Sequence, residues 1–281
     1  MVIRPPAVSG TFYPADPTLL MMEVDAFLDA AEVEDVRGTI VGLVAPHAGY
    51  MYSGRTAGYA YALLRGKPIE TAVIVSPSHR EYFKGISVYD GDAYRTPLGI
   101  VDIDDRIRRK LLGHRGVVIP SRFGHRMEHA VEVHLPFLQR VNNDIRIVPL
   151  VMGDQRGEYC FLLGRILSEV LSGEQAVLIA SSDLSHMHTD EEARRLDAVA
   201  AEDIAALSPT RLLRDLESSA TEACGGGPIC AVMHAGILLG ADRARILHTS
   251  NSGDVTGDTS RVVGYISAAF LRTADTEITP E

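Results

Sequence analysis

Three histidines in this chain stand in short loops of small residues, each a few positions after a run of β-branched and apolar residues. They are His47, His79 and His186. Imidazole is both a common ligand for transition metals and the usual acid–base group near neutral pH. If the runs are parallel strands, the three loops meet at the carboxyl edge of one sheet, where ligands bind in α/β folds. The pattern therefore predicts a metal site or an acid–base site.

Asp183 stands three residues before His186, in the loop that follows one of these runs. A carboxylate can orient an imidazole and fix its tautomer, which leaves the second ring nitrogen for proton transfer. We therefore expect Asp183 and His186 to act as an acid–base pair. The alternative is that Asp183 caps a helix beside an exposed histidine. We expect His188, two residues further on, to face solvent.

Cys224 is followed by three glycines and Pro228, where an apolar helix is predicted to begin. The positive end of a helix dipole stabilises a thiolate over a thiol, which suits a nucleophile or a metal ligand. Buried cysteine is also commonly a small apolar residue. We expect that packing role for Cys160 and Cys230, which lie in apolar helical segments, whereas the position of Cys224 favours a chemical function.

The segment 128–136 contains two glutamates and two histidines and superficially resembles the helix of a zinc protease. His129 and His134 are five residues apart, so they do not share a helix face as residues four apart do. His129 and Glu132 are three apart and can share one. We expect His129 and Glu132 to support the site or to contact substrate from the pocket wall, rather than to bind metal.

The elements that must position these residues alternate between strands and helices along the chain. Apolar runs bounded by Gly, Pro and Ser predict buried strands over residues 39–44, 71–75 and 176–180. Residues 86–99 are predicted to form a β-hairpin, so the sheet is expected to be mixed. An amphipathic helix is predicted over residues 128–141.

The alternation of elements predicts one fold class. With no repeat and no Pro- or Ser-rich linker, we predict an α/β fold, with a single domain over residues 1–273. Its central sheet is expected to be mixed, mostly parallel and flanked by helices. Residues 274–281 are expected to be a disordered tail.

The composition argues against several classes of function. The chain has 281 residues and a formal net charge of −10, which disfavours a nucleic-acid or membrane partner because both need a basic face. Lysine occurs only three times and never in a phosphate-binding loop, so no nucleotide cofactor is expected. Three cysteines do not make a disulfide framework, and the N-terminus does not resemble a signal peptide. We therefore expect a cytoplasmic protein.

Five motifs along the chain connect these residues with a known protein family. They are Ala45–Gly54, Ser76–His79, Glu128–Pro136, Ser181–His186 and Cys224–Ile229. In sequence and in order they resemble the motifs of the Memo family, also called AmmeMemoRadiSam system protein B. The resemblance extends from Arg4 to Tyr265. Because that family resembles the class III extradiol ring-cleaving dioxygenases in fold, it also implies one α/β domain around a mixed sheet.

The resemblance implies which residues bind a metal. Its implied ligands are His47, His79 and Cys224, with Asp183 and His186 beside the metal pocket and Tyr52 facing it. The related dioxygenases bind iron through two histidines and a carboxylate, whereas here a cysteine stands where the carboxylate would be. Thiolate is a softer ligand and favours copper(I), zinc or a redox-active iron site. We expect iron or copper, with zinc as the alternative.

Three functions are compatible with these residues. The first is a metal-dependent redox enzyme, or a component of one, acting on a small molecule or peptide. For this function the family name implies association with a radical SAM protein and an AMMECR-type protein. The second is a metal-free hydrolase in which Cys224 is the nucleophile, His186 or His79 its base and Asp183 the orienting group. The third is an adaptor that holds a peptide in the same pocket.

Overall fold

The computed structural model describes residues 1–34, 36–114 and 116–273, so the predicted tail at 274–281 lies outside the described residues. The strands are β1 (Ile3–Arg4), β2 (Thr39–Ala45), β3 (Thr71–Pro77), β4 (Ile86–Tyr89), β5 (Ala93–Thr96), β6 (Gly99–Asp102), β7 (Val118–Ser121), β8 (Arg146–Met152), β9 (Ala176–Ser181), β10 (His186–His188), β11 (Arg243–Asn251) and β12 (Val262–Arg272). The helices are α1 (Pro17–Ala30), α2 (Tyr50–Ala62), α3 (Asp105–Leu112), α4 (Leu135–Val141), α5 (Gly157–Leu171), α6 (Asp190–Ala205), α7 (Pro209–Glu217), α8 (Gly226–Leu238) and α9 (Gly253–Thr256).

Nine strands form one mixed sheet, whose centre is parallel. The central strands follow the order β2, β9, β3, β8, and each pairs in parallel with its neighbour. Strands β12 and β4 flank this centre in antiparallel orientation. Strands β10 and β11 then pair with β12, and β7 pairs with β4. The predicted single α/β domain with a mixed central sheet is confirmed.

Helices cover both faces of the large sheet because its central strands are apolar on both sides. In β3, Val73 and Val75 pack with α5 and α8 on one face. Ala72 and Ile74 alternate with them and pack with α1, α2 and α4 on the other face. The central strands are therefore rigidly enclosed, which fixes the positions of the loops at their ends.

The predicted hairpin over residues 86–99 is wrong. Strand β4 belongs to the large sheet, whereas β5 belongs to a separate three-stranded sheet with β1 and β6. The amide of Asp92 donates to the carbonyl of Val2 (2.8 Å). The N-terminal segment therefore pairs with β5, in the place that the hairpin prediction gave to β4. The tight connection instead joins β5 to β6. A two-residue strand such as β1 has no periodicity that sequence could reveal.

The helix predicted over residues 128–141 is shorter than expected. A 3₁₀ turn covers Glu132–His134, and α4 follows from Leu135 with a proline in its first turn. Residues 128–131 are a loop, which lets the polar side chains of this loop point in several directions. Within the described part of the chain, no helix is both long enough and apolar enough to cross a bilayer.

Candidate metal centre

Strands β2, β9 and β3 are parallel neighbours and end at the same edge of the sheet. His47, Asp183 and His79, respectively, stand two residues beyond those ends. Cys224 reaches the same edge because it lies two residues before the start of α8. One ligand atom from each of His47, His79 and Cys224 lies within 4.8 Å of the others. The structure thus brings together the three residues that the resemblance implies as ligands.

The ring of His47 is buried, and its tautomer follows from a chain of hydrogen bonds. Ser181 Oγ donates to the carbonyl of Ala130 (2.6 Å) and lies 2.7 Å from His47 Nδ1. Ser181 has one hydroxyl proton, and it donates that proton to the carbonyl of Ala130. The bond to His47 therefore uses a proton on Nδ1, which Ser181 Oγ accepts. In the neutral ring the lone pair is therefore on Nε2. That atom lies 3.1 Å from the Sγ of Cys224.

The ring of His79 is oriented by Glu128. One carboxylate oxygen accepts from His79 Nδ1 (2.9 Å) and the other from the backbone amide of His79 (2.6 Å). Although burial raises the pKa of Glu128, the hydrogen bonds from His79 hold it below its ordinary value. An ionised carboxylate fixes the Nδ1 proton and leaves Nε2 free, the arrangement common behind metal-binding histidines.

The thiol of Cys224 is half-enclosed by the loop after β9. Its Sγ accepts from the amide of Asp183 (3.3 Å), and its own amide donates to the carbonyl of Asp183 (3.2 Å). Burial, and then the charge of Asp183, raise the pKa of the Cys224 thiol. The helix start therefore does not by itself produce the thiolate that we expected. A metal ion would displace the proton, because only the thiolate is a strong ligand.

Asp183 and His186 do not form the expected orienting pair. The carboxylate of Asp183 accepts from the backbone amide of His47 (2.8 Å). Burial raises the pKa of Asp183 to about 6, opposed by that bond. The Nδ1 of His186 instead donates to the carbonyl of Leu184 (2.8 Å). A backbone carbonyl therefore orients His186, while Asp183 positions the His47 loop.

A cavity of about 520 Å³ lies beside the loops that contain His47 and Asp183. Tyr52, His129 and Asp183 line it, together with Phe12 and Arg261. The ring of His129 stacks on that of His79, with 4.7 Å between the ring centroids. Burial lowers the pKa of His129 to about 4, so its ring is neutral near pH 7. The cavity thus offers an aromatic wall and a few polar groups, as small-molecule sites do.

Glu132 does not face this cavity, which corrects its expected role. Its side chain is fully buried and binds the N-terminal segment. One carboxylate oxygen accepts from Arg4 (2.5 Å) and from the amide of Ala7 (2.7 Å). The other accepts from Tyr13 (2.5 Å) and from the amide of Val8 (3.0 Å). Glu132 therefore anchors the N-terminus to the loop that contains Glu128.

A second cavity, of about 660 Å³, is lined by Cys224 and not by Tyr52. Cys224, His186 and Glu222 line it. Both carboxylate oxygens of Glu222 lie 3.0 Å from Nε2 of His188, so His188 is paired rather than merely solvent-facing. His186 lines both cavities and separates them.

The donor set fits a transition-metal ion. Two imidazoles with free Nε2 atoms and one cysteine sulfur converge at the sheet edge. Nitrogen and sulfur ligands select zinc, copper or iron over magnesium or calcium. Three protein ligands also leave a position for a substrate or solvent ligand, as in catalytic sites. Glu128 and Ser181, which hold the two rings, were not identified from sequence.

The fold and the site define a three-layer α/β protein with two imidazoles and a thiol at the sheet edge. Comparison with known proteins identifies its family. The profile of the family described as Memo-like protein matches residues 4–269. A MEMO1 family protein of Methanosarcina mazei is 39% identical over 268 residues, covering 94% of this chain and 98% of the relative. One from Aquifex aeolicus is 38% identical over 272 residues, covering 96% and 100%. The chain belongs to the Memo family.

A solved structure supports the fold alone. The crystal structure of an uncharacterized protein from Escherichia coli K12 is similar, with a TM-score of 0.50 and 14% identity. The match covers 83% of this chain and 100% of the other. At that identity the shared feature is the arrangement of elements, and the chemistry must be argued from the residues themselves.

Proposed function

We propose that this protein is a metal-dependent redox enzyme, or a component of one, that binds iron or copper through His47, His79 and Cys224. The observation that carries the proposal is the pair of fixed tautomers. Ser181 and Glu128 each hold the Nδ1 proton of one ring, so both Nε2 atoms are available where the sulfur of Cys224 lies. Histidine ligands in metalloproteins are held in this way by outer hydrogen bonds.

The chemistry of the ligands supports a redox role. When bound, iron or copper supplies one-electron redox chemistry and an open position for a ligand. The protein's own residues orient the ligands, exclude water and hold protons. Zinc also fits two imidazoles and a thiolate, and with zinc the same site would be hydrolytic or structural.

His186 is the proposed acid–base group. Its Nδ1 donates to a backbone carbonyl, so in the neutral ring Nε2 carries a lone pair beside both cavities. A substrate in the Tyr52 cavity would lie against His129 and Asp183 and within reach of His186. We infer that this substrate is a small molecule or a peptide side chain.

One observation favours a second candidate function, a metal-free cysteine hydrolase. Cys224 Sγ and His47 Nε2 are within hydrogen-bond reach at 3.1 Å, and Ser181 orients the histidine. A nucleophile, a base and an orienting group are the parts of such enzymes. The base is then His47 rather than the expected His186 or His79, and the orienting group is Ser181 rather than the expected Asp183. Burial opposes this candidate, because it raises the pKa of the thiol and disfavours the free thiolate. The third candidate, a peptide-binding adaptor, would hold a peptide in the Tyr52 cavity and would need neither a bound metal nor a cysteine nucleophile.

The family resemblance also supports proposals about context. We infer association with a radical SAM protein and an AMMECR-type protein, and residence in the cytoplasm. The acidic net charge of −10 supports protein or small-molecule partners over nucleic acid.

Elemental analysis combined with thiol labelling tests the proposal. Protein purified anaerobically without added metal should contain equimolar iron or copper, and Cys224→Ser should lose it. Cys230→Ser is the matched control, because Cys230 is buried in the apolar core and should leave the metal content unchanged. A chelator should make Cys224 accessible to alkylation. Absence of metal from the unchanged protein, or alkylation that is equally fast with and without chelator, would favour the metal-free hydrolase. Full metal content in Cys224→Ser would remove Cys224 from the metal centre.

A further inference from the structure

The cavity beside Cys224 contains metal-ligating groups that the proposed metal centre does not use. Cys224, His186 and Glu222 line this one cavity, whereas Cys224 is absent from the lining of the Tyr52 cavity. Of the two cavities, Cys224 therefore borders the one that His186 and Glu222 also line. An ion that comes through this cavity meets these two residues on its way to Cys224.

His186 offers a nitrogen donor to this cavity. Its Nδ1 proton is donated to the carbonyl of Leu184 (2.8 Å), and in the neutral ring this leaves the Nε2 lone pair free. A carbonyl holds the ring in one tautomer without adding charge. The same arrangement orients histidines that bind metals.

Glu222 offers a carboxylate that is held next to His186. Both its oxygens lie 3.0 Å from Nε2 of His188, and one lies 3.4 Å from the backbone amide of His186. The Glu222 side chain is 41% exposed and that of His188 is 33% exposed. The carboxylate is thus accessible to solvent but fixed in direction.

The charge of the cavity favours cations. Glu217 and Glu222 both line it, and its one arginine, Arg156, pairs with Asp154 (2.8 Å). A cleft lined by one sign of charge raises the local concentration of ions of the opposite sign and their rate of association. The cavity therefore has both the charge and the ligands to receive a metal cation.

We propose that His186 and Glu222 form a metal-entry site, which takes a transition-metal ion from solvent and transfers it to Cys224, His79 and His47. His188 is a positioning residue that directs the carboxylate of Glu222. This inference rests on the proposed metal centre and adds the route by which it is loaded. Imidazole and carboxylate bind such ions more weakly than an imidazole–thiolate set does, so transfer runs toward Cys224.

The rate of metal loading tests the entry site. Apo-protein is mixed anaerobically with Co²⁺ in a stopped-flow instrument, and the thiolate-to-cobalt absorption is followed. Glu222→Gln and His186→Gln should load about tenfold more slowly than the unchanged protein, because each removes one of the two groups that would hold the ion, whereas the loss of one charge alone should slow loading less. His188→Gln should show a smaller decrease. The final absorption should be the same in all, because the three ligands remain.

Glu217→Gln is the matched control, because it removes the same charge from the same cavity without touching either histidine. Equal slowing in Glu217→Gln and Glu222→Gln, or unchanged rates in every variant, would overturn the entry site and leave the metal centre intact. A lower final absorption in His186→Gln would make His186 a permanent ligand and would also overturn it. If the unchanged protein gives no thiolate absorption at all, the metal centre itself fails. Unfolding in urea verifies that each variant is folded.

Discussion

The Sγ of Cys224 lies 3.1 Å from the Nε2 of His47, although 177 positions separate the two residues in sequence. The contact joins a loop after a central strand to the start of an apolar helix. Among the residues that the structure describes, the carboxylate oxygen nearest to this ring nitrogen belongs to Asp183 and is 3.9 Å away. The pair is therefore available to a metal ion that would replace the hydrogen bond.

Glu128→Gln should weaken metal binding without abolishing it. The amide side chain keeps the size of glutamate but loses the charge that holds the Nδ1 proton of His79 (2.9 Å). Loss of such an outer contact costs about 10- to 100-fold in metal affinity. Competition with a chelator of known affinity measures the change. Glu169→Gln, on the exposed face of α5, is the control and should bind as the unchanged protein does; equal affinities in both variants would remove Glu128 from the site.

Arg4→Met should strongly destabilise the fold. Arg4 and Glu132 are 3% and 0% exposed, and their side chains are 2.5 Å apart. Removing one partner leaves a buried charge unpaired, which costs about 3–5 kcal/mol. The measurement is the free energy of unfolding in urea. Arg65→Met breaks the exposed pair with Asp29 and should cost less than about 1 kcal/mol. A similar small loss in Arg4→Met would show that the N-terminal anchor contributes little.

His125 should make stability fall as the pH is lowered. Burial, followed by the charge of Arg4, lowers the pKa of His125 from 6.5 to about 3. Between those values the unfolded chain binds a proton that the folded protein does not, so acid favours unfolding. At pH 5 this contribution is about 2 kcal/mol.

The His125→Gln variant isolates that contribution. Glutamine does not titrate, so between pH 7 and pH 5 the variant should lose about 2 kcal/mol less of its unfolding free energy than the unchanged protein. Tyr94 and Ser87 hydrogen-bond to the ring, so some stability is lost at all pH values. Identical pH dependence in the two proteins would mean that His125 titrates normally in the folded state.

The positions of His47 and His79 could be predicted from sequence because they depend on local signals. Apolar runs of strand length reveal buried strands, and parallel strands end at one edge. The site therefore follows from the order of elements without any knowledge of side-chain contacts. The mixed sheet and the single domain follow from the same alternation.

The partners of these residues could not be predicted, because they come from contacts between distant loops. Glu128 meets His79 across 49 positions and Ser181 meets His47 across 134. The closeness of Asp183 and His186 in sequence predicts a pair, yet the side chain of Asp183 points to the His47 loop. Closeness in sequence predicts that two residues are neighbours. It does not predict the direction of their side chains, which depends on the backbone conformation of the loop.

X-ray absorption spectroscopy of the metal-loaded protein tests the central claim most directly, because it identifies the atoms bound to the ion. The metal centre predicts one sulfur scatterer at about 2.3 Å and nitrogen scatterers at about 2.0–2.1 Å. The sulfur scatterer should disappear in Cys224→Ser and persist in Cys230→Ser. A spectrum with only nitrogen and oxygen ligands, or a sulfur shell that survives in Cys224→Ser, would contradict a centre built from His47, His79 and Cys224.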